Sequence, residues 1–289
     1  MINYEVVKNW SFQDIVHSYS VRDSMLYALG IGMGADPTDE SELGFVYEKT
    51  LQAVPTMVAV LGSPGPWLRE PTTGADYVKL VHGEQHVRLL KPLPVAATVV
   101  ARNRVVSLTD KGAGKGAIAV ILRELRDQAS GELLAEIRQM NFLRGDGGFS
   151  AHSGVSDPGP EALPPVPDRA PDLEVSLPTL ERQALIYRLS GDYNPLHSDP
   201  AVARAAGFSR PILHGLCTYG MAAHALLKVA CAYQAARVQH LAVRFTAPVY
   251  PGETIRFQFW HGAPGALHLR ARIDARDVVV LNNGIATVT

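Results

Sequence analysis

Seven prolines fall between Ser150 and Pro178, at positions 158, 160, 164, 165, 167, 171 and 178. Proline fixes φ and removes a backbone donor, so a segment this rich in it runs extended and semi-rigid and builds no core. It divides the chain into 1–149, a linker 150–178, and 179–289. Each flanking part is long enough to hold a core of its own.

The second part has the cleaner pattern. Glu181–Leu189 and the proline-free Gly215–Ala236 carry helical spacing. Strands are predicted at Leu241–Phe245, Thr254–Trp260, Leu267–Ile273 and Val278–Thr287. The first part has a helix at Val21–Gly34 and strands at Gln85–Leu90, Ala97–Ser107, Ala117–Leu125 and Leu133–Leu143. Between them, Gly44–Ala59 fits strand or helix alike. A helix followed by antiparallel strands is an α+β layer.

Individual residues recur between the parts. Val87-Arg88, Pro92 and Thr98 return 156 positions later as Val243-Arg244, Pro248 and Thr254, and Tyr27 and Leu29 return 160 positions later as Tyr187 and Leu189. The pattern predicts a duplicated unit. At the 160-residue offset, Asp192 and Asn194 stand where the first half has Gly32 and Gly34. Chemistry that needs those side chains belongs to the second half.

Asp192, Asn194 and His197 lie within six residues, on the turn chemistry of Gly191-Asp192 and Asn194-Pro195. The acid and the imidazole could both hold and deprotonate a water molecule, and the amide could hold that water or brace the loop. Gly215 opens the long helix, where free N–H groups and the helix dipole favour a developing oxyanion. Taken singly, each residue has a plainer reading as a turn, a cap or a partly buried imidazole. Their combination with the helix start favours catalysis. His214 fits a bracing role.

Other chemistries find less support. His82-Gly-Glu-Gln-His86 is not HExxH, and Cys217 and Cys231 lack ligand spacing, so no metal is expected. The turn DKGAGKGA is no phosphate-binding P-loop, because Gly116 follows Lys115 where Ser or Thr is required. A net charge of −1 gives no case for nucleic acid or an anionic membrane. No apolar run approaches the ~20 residues of a membrane span. Two isolated cysteines fit a reducing compartment. The N-terminus does not read as a signal peptide and the C-terminal ATVT is not an SKL-type address, so the expected location is cytoplasmic.

The run YRLSGDYNPLHSDP, followed by GFSRPILHGL, resembles the signature of the MaoC-like hydratases. The likeness is strongest to the (R)-specific 2-enoyl-CoA hydratase (hydratase-2) of peroxisomal multifunctional enzymes. It extends to YALGIG at Tyr27–Gly32, HGEQ at His82–Gln85, KPLP at Lys91–Pro94, DKG at Asp110–Gly112 and RGDGGF at Arg144–Phe149. The resemblance implies two tandem hot-dog folds, each an antiparallel sheet curled around a central helix. It implies hydration of trans-2-enoyl-CoA to the 3R alcohol, with Asp192, His197 and Asn194 catalytic and Gly215 polarising the thioester carbonyl. Substrate contacts are implied for His82, Gly83, Lys111, Tyr193, Pro195, Leu196 and Phe245, and Glu48 is a further candidate for the pocket. The CoA would arrive with the substrate, no other cofactor is expected, and a homodimer is admitted. A hot-dog acyl-CoA thioesterase and a non-catalytic acyl-CoA-binding module are the rival readings.

In the first half, Pro64, Gly65, Pro66, Pro71 and Gly74 interrupt the region that matches the long helix. Proline costs ~3 kcal/mol inside a helix and glycine ~1 kcal/mol, so no central helix is expected there. The sheet of that half is expected to keep an apolar space for an acyl tail.

Overall fold

A computed structural model describes residues 2–289. Ten strands make one sheet. The first half supplies β1 (Ile15–Tyr19), β2 (Leu80–Leu89), β3 (Ala97–Asp110), β4 (Ala117–Asp127) and β5 (Leu133–Leu143). The second supplies β6 (Leu173–Pro178), β7 (Val238–Phe245), β8 (Thr254–His261), β9 (Ala266–Ile273) and β10 (Val278–Val288). Their order is β1-β3-β4-β5-β2-β7-β10-β9-β8-β6, and every pairing is antiparallel. Each half therefore repeats one topology, and the halves join edge to edge through β2 and β7. His86 faces Ala242 across that seam, 156 positions away, so the internal two-fold passes through this pair. Beside it Glu84, 2% exposed, accepts Nε and Nη2 of Arg244 at 2.8 and 2.7 Å.

Alternation along the second-half strands places Leu241, Val243, Phe257, Phe259, Leu269 and Ala271 on one face, all buried. The helix Gly215–Ala230 packs against that face, and Cys217 to Leu227 are buried without interruption. A helix that is apolar all round belongs inside a core. The Tyr219 hydroxyl is satisfied by the Leu241 carbonyl at 2.8 Å. A Cβ at Gly220 would stand 2.5 Å from Ile31 Cγ2, so only glycine admits this crossing. The helix stops at Ala230, six residues before the expected end. Ala232 and Tyr233 turn left-handed, and Tyr233 N–H reaches back to the Leu227 carbonyl.

Among the described residues of the first half, no long helix corresponds to Gly215–Ala230. A one-turn 3-10 element, Pro55–Ala59, stands in its place. Val54, Met57, Val58, Ala59 and Leu61 are buried there. These buried side chains take the place that the long helix holds in the second half. The helix predicted at Val21–Gly34 ends at Gly30, where Gly32 and Gly34 take positive φ.

Both edge strands escaped the sequence pattern. β1 is five residues long, and β6 occupies the last six residues of the expected linker. Its terminal Pro178 is tolerated because an edge strand leaves one side of its backbone unpaired. The remaining linker is an ordered strap: Asp157 accepts Leu108 N–H, the Pro158 carbonyl accepts the Thr109 hydroxyl, and the Arg169 carbonyl accepts Trp260 Nε1–H. Trp260 points away from Phe257 and Phe259, so the strap covers the face opposite the helix. No helix among the described residues is long and apolar enough to cross a membrane.

Candidate active site

The helix Gln183–Tyr187 tightens into a 3-10 turn, Arg188–Ser190, and ends at Gly191 with φ 122°. That angle reverses the chain and starts two linked Asx turns. Asp192 Oδ1 accepts Asn194 N–H at 3.1 Å, and Asn194 Oδ1 accepts Leu196 N–H at 3.1 Å. Asn194 thus caps the turn Pro195–His197, which makes it a brace of the loop. Asp199 caps the following helix, Pro200–Ala205. Together these caps fix the backbone that carries His197.

His197 is 9% exposed, and its Nδ1 lies 2.9 Å from the Ile212 carbonyl. A carbonyl only accepts, so Nδ1 carries the proton and Nε2 presents a lone pair. Burial pushes the pKa of His197 down, against the opposing pull of the Ile212 bond and the Asp192 charge. The imidazole is therefore a neutral base at physiological pH. Activity that needs it should have the midpoint of its acid limb below 6.5, the ordinary histidine value. A pH–rate profile of kcat/KM with an acid limb at or above 6.5 would contradict this tautomer and burial.

His214 donates Nε2–H to the Asp192 carbonyl at 3.1 Å and stacks on His197, centroids 3.8 Å apart. Burial and the neighbouring imidazole hold its pKa near 4. Its Nδ1 is buried with no partner. Acid and imidazole atoms of Asp192, His197 and His214 lie within 4.8 Å of one another, a spacing that metal ligands share. The two rings are stacked and inclined by only 29°, so their lone pairs lie in nearly parallel planes about a ring thickness apart, a poor geometry for sharing one ion. Water between donors and acceptors suits this arrangement better.

Gly215 is the first residue of the long helix, and no side chain caps it. The His214 carbonyl takes the N–H groups of Cys217 and Thr218, leaving those of Gly215 and Leu216 for a ligand. A Cβ at Gly215 would meet the Phe245 ring at 3.3 Å, so the glycine lets β7 close on the helix start. Phe245 in turn lies 4.8 Å from the His82 ring. His82 reaches this face because a β-bulge at Gly83 shifts the register between His82 and Glu84. Its Nε2 bonds the Glu84 carbonyl at 3.1 Å, and burial pushes its pKa down to about 4.

The structure thus gathers Asp192, His197, Gly215, Phe245, His82 and Gly83 from both halves at one end of the seam. Pro195 is exposed and Leu196 half-buried on the turn that carries His197. Tyr193 is 59% exposed beneath the Arg188 guanidinium, outside the cluster. Lys111 lies in the exposed turn after β3, at the same sheet end as His82 but three strands away, about 14 Å across the strands and three residues further along them. Glu48 lies exposed on the turn Glu48–Thr50 and joins no part of the site. The buried acid of that region is Glu42, which nothing in the local sequence distinguishes.

One curled sheet made of two like halves around a single helix, with an acid and an imidazole at the helix start, defines a double hot-dog protein. Residues 17–145 match the family described as MFE-2 hydratase 2 N-terminal domain, and residues 163–280 match the MaoC like domain. The chain belongs to the MaoC-like hydratase-2 family. The 3-hydroxyacyl-thioester dehydratase Y of Mycobacterium tuberculosis is 41% identical over 281 residues, covering 94% of this chain and 93% of that protein. A peroxisomal enoyl-CoA hydratase 2 of Arabidopsis thaliana is 41% identical over 256 residues, covering 84% and 82%. The crystal structure of a MaoC-like dehydratase from Phytophthora capsici superimposes with a TM-score of 0.86 at 33% identity, covering 100% of this chain and 99% of that one.

Proposed function

We propose that this chain is a hydro-lyase that adds water to trans-2-enoyl-CoA, giving (3R)-3-hydroxyacyl-CoA, and catalyses the reverse dehydration. The observation that carries the reading is the convergence of the Asp192 carboxylate and the His197 imidazole beside a helix start with unpaired N–H groups. Asp192 and His197 Nε2 hold one water between them. As one of them takes its proton, the hydroxyl bonds to C3 and the C2–C3 π pair moves toward the thioester oxygen. Gly215 N–H stabilises that enolate oxygen. The proton returned by the same pair forms the C2–H bond, so water is consumed whole and no other cofactor enters.

His82 and Phe245 border the reacting carbons from the first half and from β7. The CoA portion runs along the strand ends that carry Lys111, Lys115 and Arg144, where phosphates meet cations. Relatives named for enoyl-CoA hydration and for thioester dehydration support the substrate class. β-Oxidation is the process this reaction suits. The two buried free cysteines support a reducing compartment, cytosolic in this reading.

The test is a coupled assay on trans-2-enoyl-CoA. Absorbance of the conjugated thioester should fall, and a 3R-specific dehydrogenase should then give stoichiometric NADH while a 3S-specific one gives none. NADH from the 3S-specific enzyme would refute the stereochemistry. Release of free CoA from a saturated acyl-CoA would favour the thioesterase reading instead.

A further inference from the structure

The inward faces of the two halves differ in chemistry. In the second half that face is apolar throughout, as Val243 on β7, Phe257 on β8 and Leu269 on β9 show. In the first half a polar band crosses the same face. It starts at His82, passes to its cross-strand partner Asn141 and then to Gln139, which donates to Asn141 Oδ1 at 2.9 Å. It ends at Arg123 on β4 and its partner Asn103 on β3. Alternation puts all five side chains on one side of the sheet.

Arg123 is 4% exposed and makes bonds only to neutral acceptors. Its Nη1 donates to the carbonyls of Ala59 and Leu61 at 3.1 and 2.7 Å, and its Nε to Asn103 Oδ1 at 3.3 Å. Nη2 has no acceptor. Asn103 Nδ2, beside it, is buried without one. A buried cation lacking a counter-ion is expensive, and so is a buried amide donor without a partner. The buried amide donor of Asn103 and the free Nη2 edge beside it call for one oxygen acceptor that the described residues do not supply.

We propose that Arg123 and Asn103 bind an oxygen atom carried in the tail of the acyl group, so that the preferred substrates are oxygen-bearing acyl thioesters, not plain hydrocarbon ones. This rests on the enoyl-CoA reading above, because it takes the thioester end to lie at Gly215. From His82 the tail follows β5 for four residues, about 13 Å, and crosses two strand spacings, about 10 Å, which suits a chain of medium length. The long arginine side chain shortens that path, and its charge reaches the His82 imidazole, whose proton affinity it lowers. The turn Pro55–Ala59 closes the end of the path, its Ala59 carbonyl held by Arg123.

The experiment is calorimetric binding of saturated medium-chain acyl-CoA, which does not react, in methyl-ended, ω-hydroxyl and ω-carboxyl forms. It uses the wild-type chain, Asn103→Asp and Arg123→Met. Asn103→Asp keeps the shape and gives Arg123 a counter-ion of its own. The readout is the ratio of methyl-ended to oxygen-ended Kd within each protein, so a general loss of fold cancels. A charge-assisted bond predicts that this ratio falls by roughly tenfold or more in Arg123→Met, and in Asn103→Asp for the carboxyl form, which the new carboxylate repels. In Arg123→Met, a fall confined to the carboxyl form identifies a carboxylate, and a fall for both forms identifies any tail oxygen. Equal ratios in all three proteins would overturn the proposal. Turnover of methyl-ended trans-2-enoyl-CoA, followed separately, reports on the hydratase reading alone.

Discussion

Asp192→Asn is expected to slow hydration of trans-2-enoyl-CoA by about two to four orders of magnitude, the usual worth of a positioned general base. The substitution is conservative where the loop is concerned. An asparagine Oδ1 still accepts the Asn194 N–H, and the bond from His214 goes to the backbone carbonyl of residue 192. The loop geometry should therefore survive while the base is lost. His197→Ala should reduce turnover to a similar extent, because it deletes the lone pair on Nε2 along with the Ile212 bond. Both effects should appear in kcat, with thermal unfolding midpoints little changed for Asp192→Asn. Initial rates near wild type in either variant would remove these residues from the mechanism.

A second large effect is expected far from the chemistry, at Glu42. This carboxylate is 3% exposed and gathers four donors. Oε1 accepts from His224 Nε2 at 3.2 Å, Lys228 Nζ at 3.3 Å and the Tyr233 hydroxyl at 2.9 Å, and Oε2 accepts Gly34 N–H at 2.9 Å. It ties the first half to the last turns of the central helix. Glu42→Ala leaves His224 and Tyr233 with buried donors and no acceptor. Lys228 can still turn toward water, so the loss is placed at about 3 kcal/mol, the low end for breaking a buried pair. That corresponds to a fall in Tm on the order of 10 °C. Burial works to raise the pKa of Glu42, but the bonds from His224 and Tyr233 overcome it and hold the group near 2. A depressed carboxylate stabilises fully above its ordinary value of 4.5, and that contribution is lost as pH falls through about 2. The Tm gap between wild type and variant should thus be full at pH 7 and narrow progressively below pH 4.5. A gap that does not change with pH would mean that packing, not charge, holds the two halves there.

The two effects differ in how visible they are from the sequence. Asp192 and His197 lie in one short run whose turn residues announce the geometry. Glu42 and His224 are 182 positions apart, and each looks like an ordinary helical side chain until the fold joins them. Arg123 reads as one charge in the alternating strand Ala117–Asp127, and its burial depends on a turn some 60 residues earlier. The central strands were legible because both of their faces are constrained. β5 matches its predicted limits of Leu133–Leu143. The edge strands Ile15–Tyr19 and Leu173–Pro178 pair on one side only, so their short patterns carried little signal. The start of β2 was missed because the bulge at Gly83 breaks strict alternation, and that break is what turns His82 inward. Gly215–Ala236 overran its end because the left-handed residues that stop the helix, Ala232 and Tyr233, are not the glycine that usually marks such a stop.

The seam through His86 and Ala242 also bears on how such a molecule can change over generations. In a symmetric pair of separate identical chains, one altered codon appears at both equivalent places at once. Losing the acid from one pocket would lose it from the other. Joined in a single gene, the two copies are free to drift apart. Here Gly32 and Gly34 stand 160 positions before Asp192 and Asn194, and a proline-led turn stands where the partner half keeps its helix. The half without the long helix is then free to keep a buried arginine on its inward face, where its twin shows apolar side chains.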